Sequence, residues 1–209
     1  ESFSHRLVRW TLRHLMLVGL SLTAAIAIGI PLGVYASRPV FLSEIILALT
    51  GLIQTIPALA LLALLVPIPF LGVGPVTAIV ALFLYGLLPI VRNTATGLRN
   101  IPPQIRDAAE VLGLKPQTRL LKIFLPLASP SILAGIKTSA IITIGSATLA
   151  ALIGAGGLGE PIISGLNLND NTTILEGAIP AVLMAIAAHG LFSAVDRFFI
   201  PRGLRIRPA

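Results

Sequence analysis

A polar segment in the middle of the chain has the residue types and spacing of a docking site for another protein. It begins with the sequence DAAEVLG, residues 107–113, and continues nine residues later with IFLP. Ala108, Ala109 and Leu112 would form the small, smooth face of a short helix, and such a face fits a groove on a partner. Gly113 is placed to end this helix, because glycine adopts the left-handed conformation without steric cost. A solvated loop helix between membrane spans is the alternative interpretation.

A second set of polar side chains lies within apolar stretches and suggests a route for a solute. Ser139, Thr143 and Ser146 recur at positions i, i+4 and i+7, and Gln54 and Thr55 precede a proline that would loosen a helix. Such residues can line a hydrated path for a small polar molecule. Ser and Thr side chains also commonly bond back to their own helix. Both interpretations remain open from the sequence.

The remaining reactive side chains form no catalytic or metal-binding pattern. The chain has no cysteine, and its histidines, His5, His14 and His189, are widely separated. The apolar stretches hold no nucleophile facing a base and no set of metal ligands. The phosphate-binding sequence GxxxxGK[ST] does not occur, so ATP would have to be hydrolysed by another chain. We therefore expect no enzyme activity, no metal site and no cofactor in this chain.

One apparent nucleotide motif is not convincing. Residues 154–159, GAGGLG, match the pattern GxGxxG. That pattern binds a dinucleotide only when it follows a β-strand and begins a helix. Here it follows an apolar helical stretch. We expect it to end a membrane span and to turn the chain at the outer surface.

Membrane helices are the elements that must position these residues. Hydrophobic residues make up 56% of the chain and charged residues only 11%, against about 25% charged residues in soluble domains. Four uncharged runs, each long enough for the roughly 20 residues of a span, cover 14–37, 45–91, 138–159 and 177–195. The second run must contain two spans, separated by three prolines and two glycines at 67–75. The predicted fold class is therefore all-α, a polytopic membrane protein with one domain over 1–209 and five spans near 15–36, 43–66, 75–92, 129–154 and 174–197.

The distribution of the net charge of +7 predicts the orientation. Six Lys or Arg residues lie from the last residue of the third predicted span to the start of the fourth, and four lie from the last residue of the fifth onward. The loops at 67–74 and 155–173 contain none. Positively charged loops usually remain in the cytoplasm. We therefore expect the loop at 99–126 and the C-terminus to be cytoplasmic, and we expect no nucleic acid partner.

The N-terminal segment conflicts with this orientation. Five spans place the N-terminus outside, although three arginines near it favour the inside. Phe3, Leu7 and Trp10 recur at i, i+4 and i+7 with these arginines between them, as in a helix that lies in the membrane interface. We expect such an interfacial helix before the first span. Another span upstream of Glu1 is the alternative.

Packing explains two further features of the predicted spans. Gly29 and Gly33 give the first span a small face, which we expect to pack against another helix of the same subunit; a dimer contact is the alternative. Lys137 is the one charge clearly inside a span. We expect it to extend toward the membrane surface or to hold a packed polar contact rather than to bind substrate.

The docking segment resembles the EAA loop of ABC importer permeases, which reads Glu-Ala-Ala, three residues, Gly, nine residues, Ile-x-Leu-Pro. Only Asp107 departs, at a position where that family usually has Glu. Further stretches are similar to the permeases of osmoprotectant importers for glycine betaine, choline and carnitine: QTIPALALL at 54–62, PIVRNT at 89–94 and IGSATLAALIGAGGLG at 144–159. The resemblance extends over about 14–197. Methionine and phosphonate permeases share the EAA loop and a glycine-rich segment.

This resemblance implies a type I importer permease in the bacterial cytoplasmic (inner) membrane. In that architecture two five-span subunits, identical or different, enclose a path. Two cytoplasmic ATPases, which carry ATP and Mg, dock on the EAA loops, and an external binding protein delivers the solute. The implied ATPase-coupling residues are Asp107, Ala108, Ala109, Glu110, Leu112, Gly113, Leu125 and Pro126.

Two alternatives to an osmoprotectant permease remain. One is a pore or secondary transporter without an ATPase. The acidic residues near the predicted spans, Glu44, Glu160, Glu176 and Asp196, fall at span ends rather than at mid-membrane, which disfavours proton coupling. The other is an ABC permease for methionine or another small solute.

Overall fold

Helices form all the regular structure in the residues described by the computed structural model, which are 3–38 and 41–199. The all-α prediction is confirmed for this part of the chain. The α-helices, in chain order, are α1 Phe3–Ala36, α2 Phe41–Thr55, α3 Ala58–Leu65, α4 Pro75–Arg99, α5 Pro103–Val111, α6 Pro116–Arg119, α7 Leu125–Ser146, α8 Gly159–Leu168 and α9 Asn171–Phe199. A π-helical turn, Leu120–Phe124, joins α6 to α7, and a 3₁₀ turn, Leu149–Ile153, follows α7.

The spanning helices agree with the prediction of five spans when one bent pair is counted as a span. Among the described residues, α1, α4, the run Pro116–Ser146 and α9 are each long and apolar enough to cross a membrane. Helices α2 and α3 qualify only together, and they meet at a bend of 99°. Pro57 lies at this bend and has no backbone N–H to continue the hydrogen-bond ladder. The second predicted span thus corresponds to a bent pair of helices rather than to one continuous helix.

Helix α4 is the centre of the bundle, with α1 parallel to it on one side and α7 antiparallel on another. A Cβ atom on Gly33 of α1 would lie 2.8 Å from the carbonyl oxygen of Val91 in α4. A Cβ atom on Gly135 of α7 would lie 2.7 Å from the carbonyl oxygen of Pro89 in α4. Glycine thus allows the helix backbones to touch directly. The expected packing of the small face of α1 within the subunit is confirmed.

The expected interfacial helix at the N-terminus is wrong, because α1 runs without a break from Phe3 to Ala36. Trp10 is buried rather than directed into an interface. Two of the arginines contact distant parts of the chain at this end of the bundle. Arg6 lies 3.6 Å from the carboxylate of Glu176, and Arg13 donates a hydrogen bond to the carbonyl oxygen of Ala155 at 2.9 Å. These contacts place the start of α1 at the end of the bundle opposite α5.

Helix α8 forms a short hairpin with α9 that was not predicted as a separate element. The turn between them contains Asn169, which has a positive φ of 53°. Asp170 then caps α9, since its carboxylate accepts hydrogen bonds from the Thr173 hydroxyl at 2.6 Å and the Thr172 backbone N–H at 3.0 Å. Both bonds favour the charged form and hold the pKa of Asp170 below its ordinary value. The sequence NDNTT, residues 169–173, contains the Asp residue and the two Thr residues of this cap and is typical of a helix start.

Candidate functional site

The short helix predicted from the sequence in the docking segment is present as α5, and its docking role stays a prediction. It ends at Val111, and Gly113 follows with a positive φ of 67° and donates its N–H to the carbonyl oxygen of Glu110 at 2.9 Å. The short helix and its termination by glycine are confirmed. Since a side chain at this φ strains the backbone, the glycine is required by local geometry.

One face of α5 is an exposed apolar ridge formed by Ala108, Val111 and Leu112, which we call the α5 ridge. Val111 is 87% exposed and Leu112 is 73% exposed. Asp107 and Glu110 beside it are also exposed. Apolar side chains this exposed on a short polar helix are suited to contact with another protein.

Ala109 has a different position from the one expected of a docking residue. It is only 2% exposed and therefore faces its own chain. The expectation that a larger group at Ala109 would collide directly with a partner needs correction, because such a group would first displace α5 from the bundle. Its assignment to coupling stays a prediction, as a residue that seats the helix.

Two arginines connect α5 to neighbouring elements. The Arg106 guanidinium donates to the carbonyl oxygen of Leu98 in α4 and lies 5.1 Å from the ring centroid of Phe124, just before α7. Arg119 lies 3.6 Å from the carboxylate of Glu110. Arg106 thus links α5 to the end of α4 and to the turn before α7, and Arg119 links α5 to α6.

The second half of the docking motif begins a spanning helix. Leu125 is half-buried and packs against a cluster that contains Leu98, Ile101 and Ile132. Pro126 lies in the first turn of α7, directly after the π-helical turn Leu120–Phe124. These two residues fix how α7 leaves the docking segment.

Gln54 and Thr55, two of the predicted path residues, lie at the break between α2 and α3. The Gln54 side-chain amide donates to the carbonyl oxygen of Tyr85 at 3.4 Å, and the Tyr85 hydroxyl donates to the carbonyl oxygen of Ile56. The Thr55 hydroxyl bonds back to Leu52 at 2.7 Å. The Tyr85 and Thr55 hydroxyls thus bond to carbonyl groups near the bend, and the Gln54 amide ties this region to α4. A role of Gln54 and Thr55 in a solute path stays a prediction.

Ser139 and Thr143 are fully buried in the contact between α7 and α4. Thr143 donates to the carbonyl oxygens of its own helix at Ser139 and Ala140, at 2.9 and 3.0 Å. Ser146 is half-buried beside Tyr85. The bond-back alternative thus describes Thr143 in this structure, whereas a path role for the three residues stays a prediction.

Lys137 holds a packed polar contact, one of its two expected roles. Its ammonium donates to the hydroxyl of Ser193 in α9 at 2.9 Å, and that hydroxyl donates to the carbonyl oxygen of His189 at 2.8 Å. The charge is held between α7 and α9. This contact resembles a structural link more than a substrate site.

A buried histidine that the sequence did not single out holds the opposite end of the bundle together. His14 has no exposed surface, its Nε2–H donates to the carbonyl oxygen of Ile144 at 3.0 Å, and its Nδ1 accepts from the backbone N–H of Leu158 at 3.3 Å. These two bonds require the neutral ring. With the bond from Arg13 to Ala155, they tie α1 to the end of α7 and to the glycine-rich segment.

We predict that His14→Leu lowers stability, because it leaves a buried N–H and a buried carbonyl without partners, at about 1–3 kcal/mol each. The thermal unfolding midpoint of the purified protein should fall. Limited proteolysis should cleave it faster within 155–168. His189→Leu is the matched control, since His189 is exposed, and it should be nearly silent. Equal midpoints for the two variants would contradict the structural role of His14.

The glycine-rich segment 154–159 follows helical structure, not a strand, and no β-strand occurs in residues 3–38 and 41–199. The positive φ values of Gly154, Gly156 and Gly157, from 69° to 89°, turn the chain between the 3₁₀ turn and α8. The expected turn is confirmed. Within the same described residues, no group of three His, Cys, Asp or Glu side chains could hold a metal ion.

Comparison with protein families matches residues 25–203 to the model described as "Binding-protein-dependent transport system inner membrane component". Curated relatives include the choline transport system permease protein OpuBB of Bacillus subtilis, 40% identical and covering 93% of this chain and 89% of that protein. The osmoprotectant import permease protein OsmW of Salmonella typhimurium is also 40% identical, with 93% and 92% covered. The carnitine transport permease protein OpuCD of Listeria monocytogenes is 42% identical, with 90% and 84% covered.

Solved structures show the same fold. A chain of the inward-facing MetNI methionine ABC transporter superposes with a TM-score of 0.87 at 23% identity, over 95% of this chain and 98% of that one. A chain of an amino acid ABC transporter crystallised with histidines gives a TM-score of 0.78 at 17% identity, with 93% and 94% covered. At these identities the likeness concerns the fold alone.

Proposed function

The chain belongs to the family of binding-protein-dependent transport system inner membrane components, and on this premise we propose that it is the permease subunit of an ABC importer for a small osmoprotectant. Glycine betaine, choline and carnitine are the solute candidates, because near-full-length relatives at 40–42% identity are named as choline, osmoprotectant and carnitine permeases. This similarity is the observation that carries the proposal. The permease is a conduit and hydrolyses no ATP itself.

In the proposed mechanism, the α5 ridge docks in a groove of an ATPase subunit, and two such ATPases bind ATP and Mg. Their closure displaces α5, and the contacts of Arg106 with Leu98 and Phe124 carry the displacement into α4 and α7. The spans then alternate between inward and outward access, so ATP binding acts as a bias between two packings. Five helices have too little circumference to enclose a gated path, and a second permease subunit completes it.

We further propose that solute selectivity resides in an external binding protein. Quaternary ammonium groups are usually recognised by cages of aromatic rings, and only 5% of this chain is aromatic. Phe83 packs against the cluster of Ala36, Leu87 and Val91. The Tyr85 hydroxyl donates a hydrogen bond to the carbonyl oxygen of Ile56. These rings form helix contacts rather than an open cage.

Uptake measurements test the solute. In a strain without other osmoprotectant importers, expression of this chain with its genomic partners should support ATP-dependent uptake of labelled glycine betaine, choline or carnitine. The binding protein should bind the same solute tightly, and the isolated permease should not bind it at micromolar strength. Uptake of methionine in place of all three would contradict the osmoprotectant assignment.

The proposed orientation, with α5 in the cytoplasm, has its own test. The chain has no cysteine, so single cysteines can be introduced at Leu168 and Gln117, both of which are exposed at opposite ends of the bundle. In intact cells an impermeant thiol reagent should label Leu168→Cys and leave Gln117→Cys unlabelled. The reverse pattern would place the docking helix outside and exclude a cytoplasmic ATPase there. The C-terminus, also expected in the cytoplasm, lies outside the described residues.

A further inference from the structure

A cavity of about 430 Å³ lies behind the docking helix, at the level where two spans end. On the side of the spans, the cavity is lined by Val34 near the end of α1, by Arg38 just after α1, and by Leu98 near the end of α4. On the side of the docking segment, it is lined by Arg119 at the end of α6 and by Phe124 just before α7. The cavity is thus bounded by the membrane spans on one side and by the docking segment on the other.

Three arginines line this cavity: Arg38, Arg106 and Arg119. Glu110 is the carboxylate closest to them in the described contacts, 3.6 Å from Arg119, and its side chain is 75% exposed, so it offsets the positive charge weakly. Arg106 also bonds the carbonyl oxygen of Leu98, which leaves further N–H groups of its five-donor fork for another acceptor. The cavity therefore has a strong preference for an anion.

The cavity also has an apolar side, which a simple anion would not use. Val34, Leu98, Leu120 and Phe124 line it together with the arginines. Since α1 and α4 end here, the orientation proposed above puts the cavity near the cytoplasmic surface of the membrane, at the level of the lipid headgroups. A phospholipid presents both chemistries, a phosphate at headgroup level and methylene groups toward the hydrocarbon core.

We propose that this cavity binds the headgroup of an anionic phospholipid. The phosphate lies among the three guanidinium groups, whose planar forks match phosphate oxygens, and the glycerol end lies along Val34 and Leu98, on the side of the spans. Basic cavities between spanning helices at the cytoplasmic surface are suited to such headgroups. The bound lipid bridges α1 and α4 to the segment after α5, so it steadies the docking helix. The site depends on the membrane location and orientation of the chain, not on the identity of the solute.

Native mass spectrometry of the purified full-length chain, with the proteins that copurify, tests the site. We expect phosphatidylglycerol to be retained and phosphatidylcholine to be lost under the same activation. Arg38→Gln combined with Arg119→Gln should weaken phosphatidylglycerol binding by at least about tenfold. Lys122→Gln is the matched control, because it removes a positive charge from an exposed position of the same segment that does not line the cavity.

Three results would overturn the proposal. One is equal retention of the two lipids by the unaltered protein, a comparison that holds even if the double variant fails to fold. Another is displacement of phosphatidylglycerol by millimolar inorganic phosphate, which would make this a site for a soluble anion. The third is loss of a copurifying ATPase from the double variant with lipid retention intact, which would make the arginines a protein contact. Failure of the osmoprotectant uptake assay would leave all these readouts unchanged.

Discussion

Replacing Gly159 by alanine is expected to disrupt the end of the bundle opposite α5 more than the same change at any other glycine of the described residues would disrupt its surroundings. A Cβ atom at this position would lie 1.8 Å from the carbonyl oxygen of Thr148 and 2.6 Å from its carbonyl carbon. Backbone atoms cannot rotate away as a side chain can, so the start of α8 must separate from the end of α7. We expect a loss at the upper end of overpacking effects, about 3 kcal/mol or more.

The measurement is the amount of folded protein in the membrane, together with the thermal midpoint of the purified chain and solute uptake. All three should fall in Gly159→Ala. Gly190→Ala is the control, because a Cβ atom on Gly190 of α9 would meet nothing within 4 Å, and alanine favours a helix. If both variants reached normal levels with normal midpoints, the close approach of α8 to Thr148 would not exist in the membrane.

The second large effect is expected at the α5 ridge. Leu112→Asp places a charge on a side chain that is 73% exposed, so folding and membrane insertion should be unaffected. A carboxylate forced into an apolar groove of an ATPase would lose its hydration. Uptake and solute-stimulated ATP hydrolysis should therefore fall together by at least tenfold, which corresponds to about 1.4 kcal/mol of docking free energy.

Leu112→Met is the control at the same position, because it keeps an apolar side chain of similar volume and should retain uptake. Gly113→Val should resemble Leu112→Asp, since a β-branched residue at a φ of 67° distorts the end of the helix. ATPase copurification provides a separate readout of docking. Normal uptake by both Leu112→Asp and Gly113→Val at normal membrane levels would indicate a transporter that works without an attached ATPase.

Local signals explain what the sequence predicted correctly. The glycine that ends α5 has to satisfy only the backbone around it, so the sequence DAAEVLG was sufficient to predict the helix and its end at Gly113. The spans followed from hydropathy, because a membrane helix must satisfy its backbone internally whatever its neighbours are. Even the bend after α2 had a local marker in Pro57.

Tertiary partners explain what the sequence could not predict. The pattern of Phe3, Leu7 and Trp10 is typical of an interfacial helix, but Arg6 finds Glu176 about 170 residues away, and the helix continues into the first span. The burial of Ala109 and the three-arginine cavity likewise depend on which helices meet. His14 was an isolated histidine in the sequence, and its partners lie at Ile144 and Leu158.

The glycine contacts of α4 have a mechanical consequence. Where the backbone of α1 touches α4 at Gly33 and that of α7 touches α4 at Gly135, no layer of flexible side chains can absorb sliding. We therefore expect the three helices to move as one unit. The proposed movement between inward and outward access would then be taken up where the helices are interrupted, and among the described residues the 99° bend between α2 and α3 is the one such break found in a candidate span. In the proposed transport cycle, we therefore expect a displacement of α5 to move this unit, and the angle at Pro57 to change as it moves.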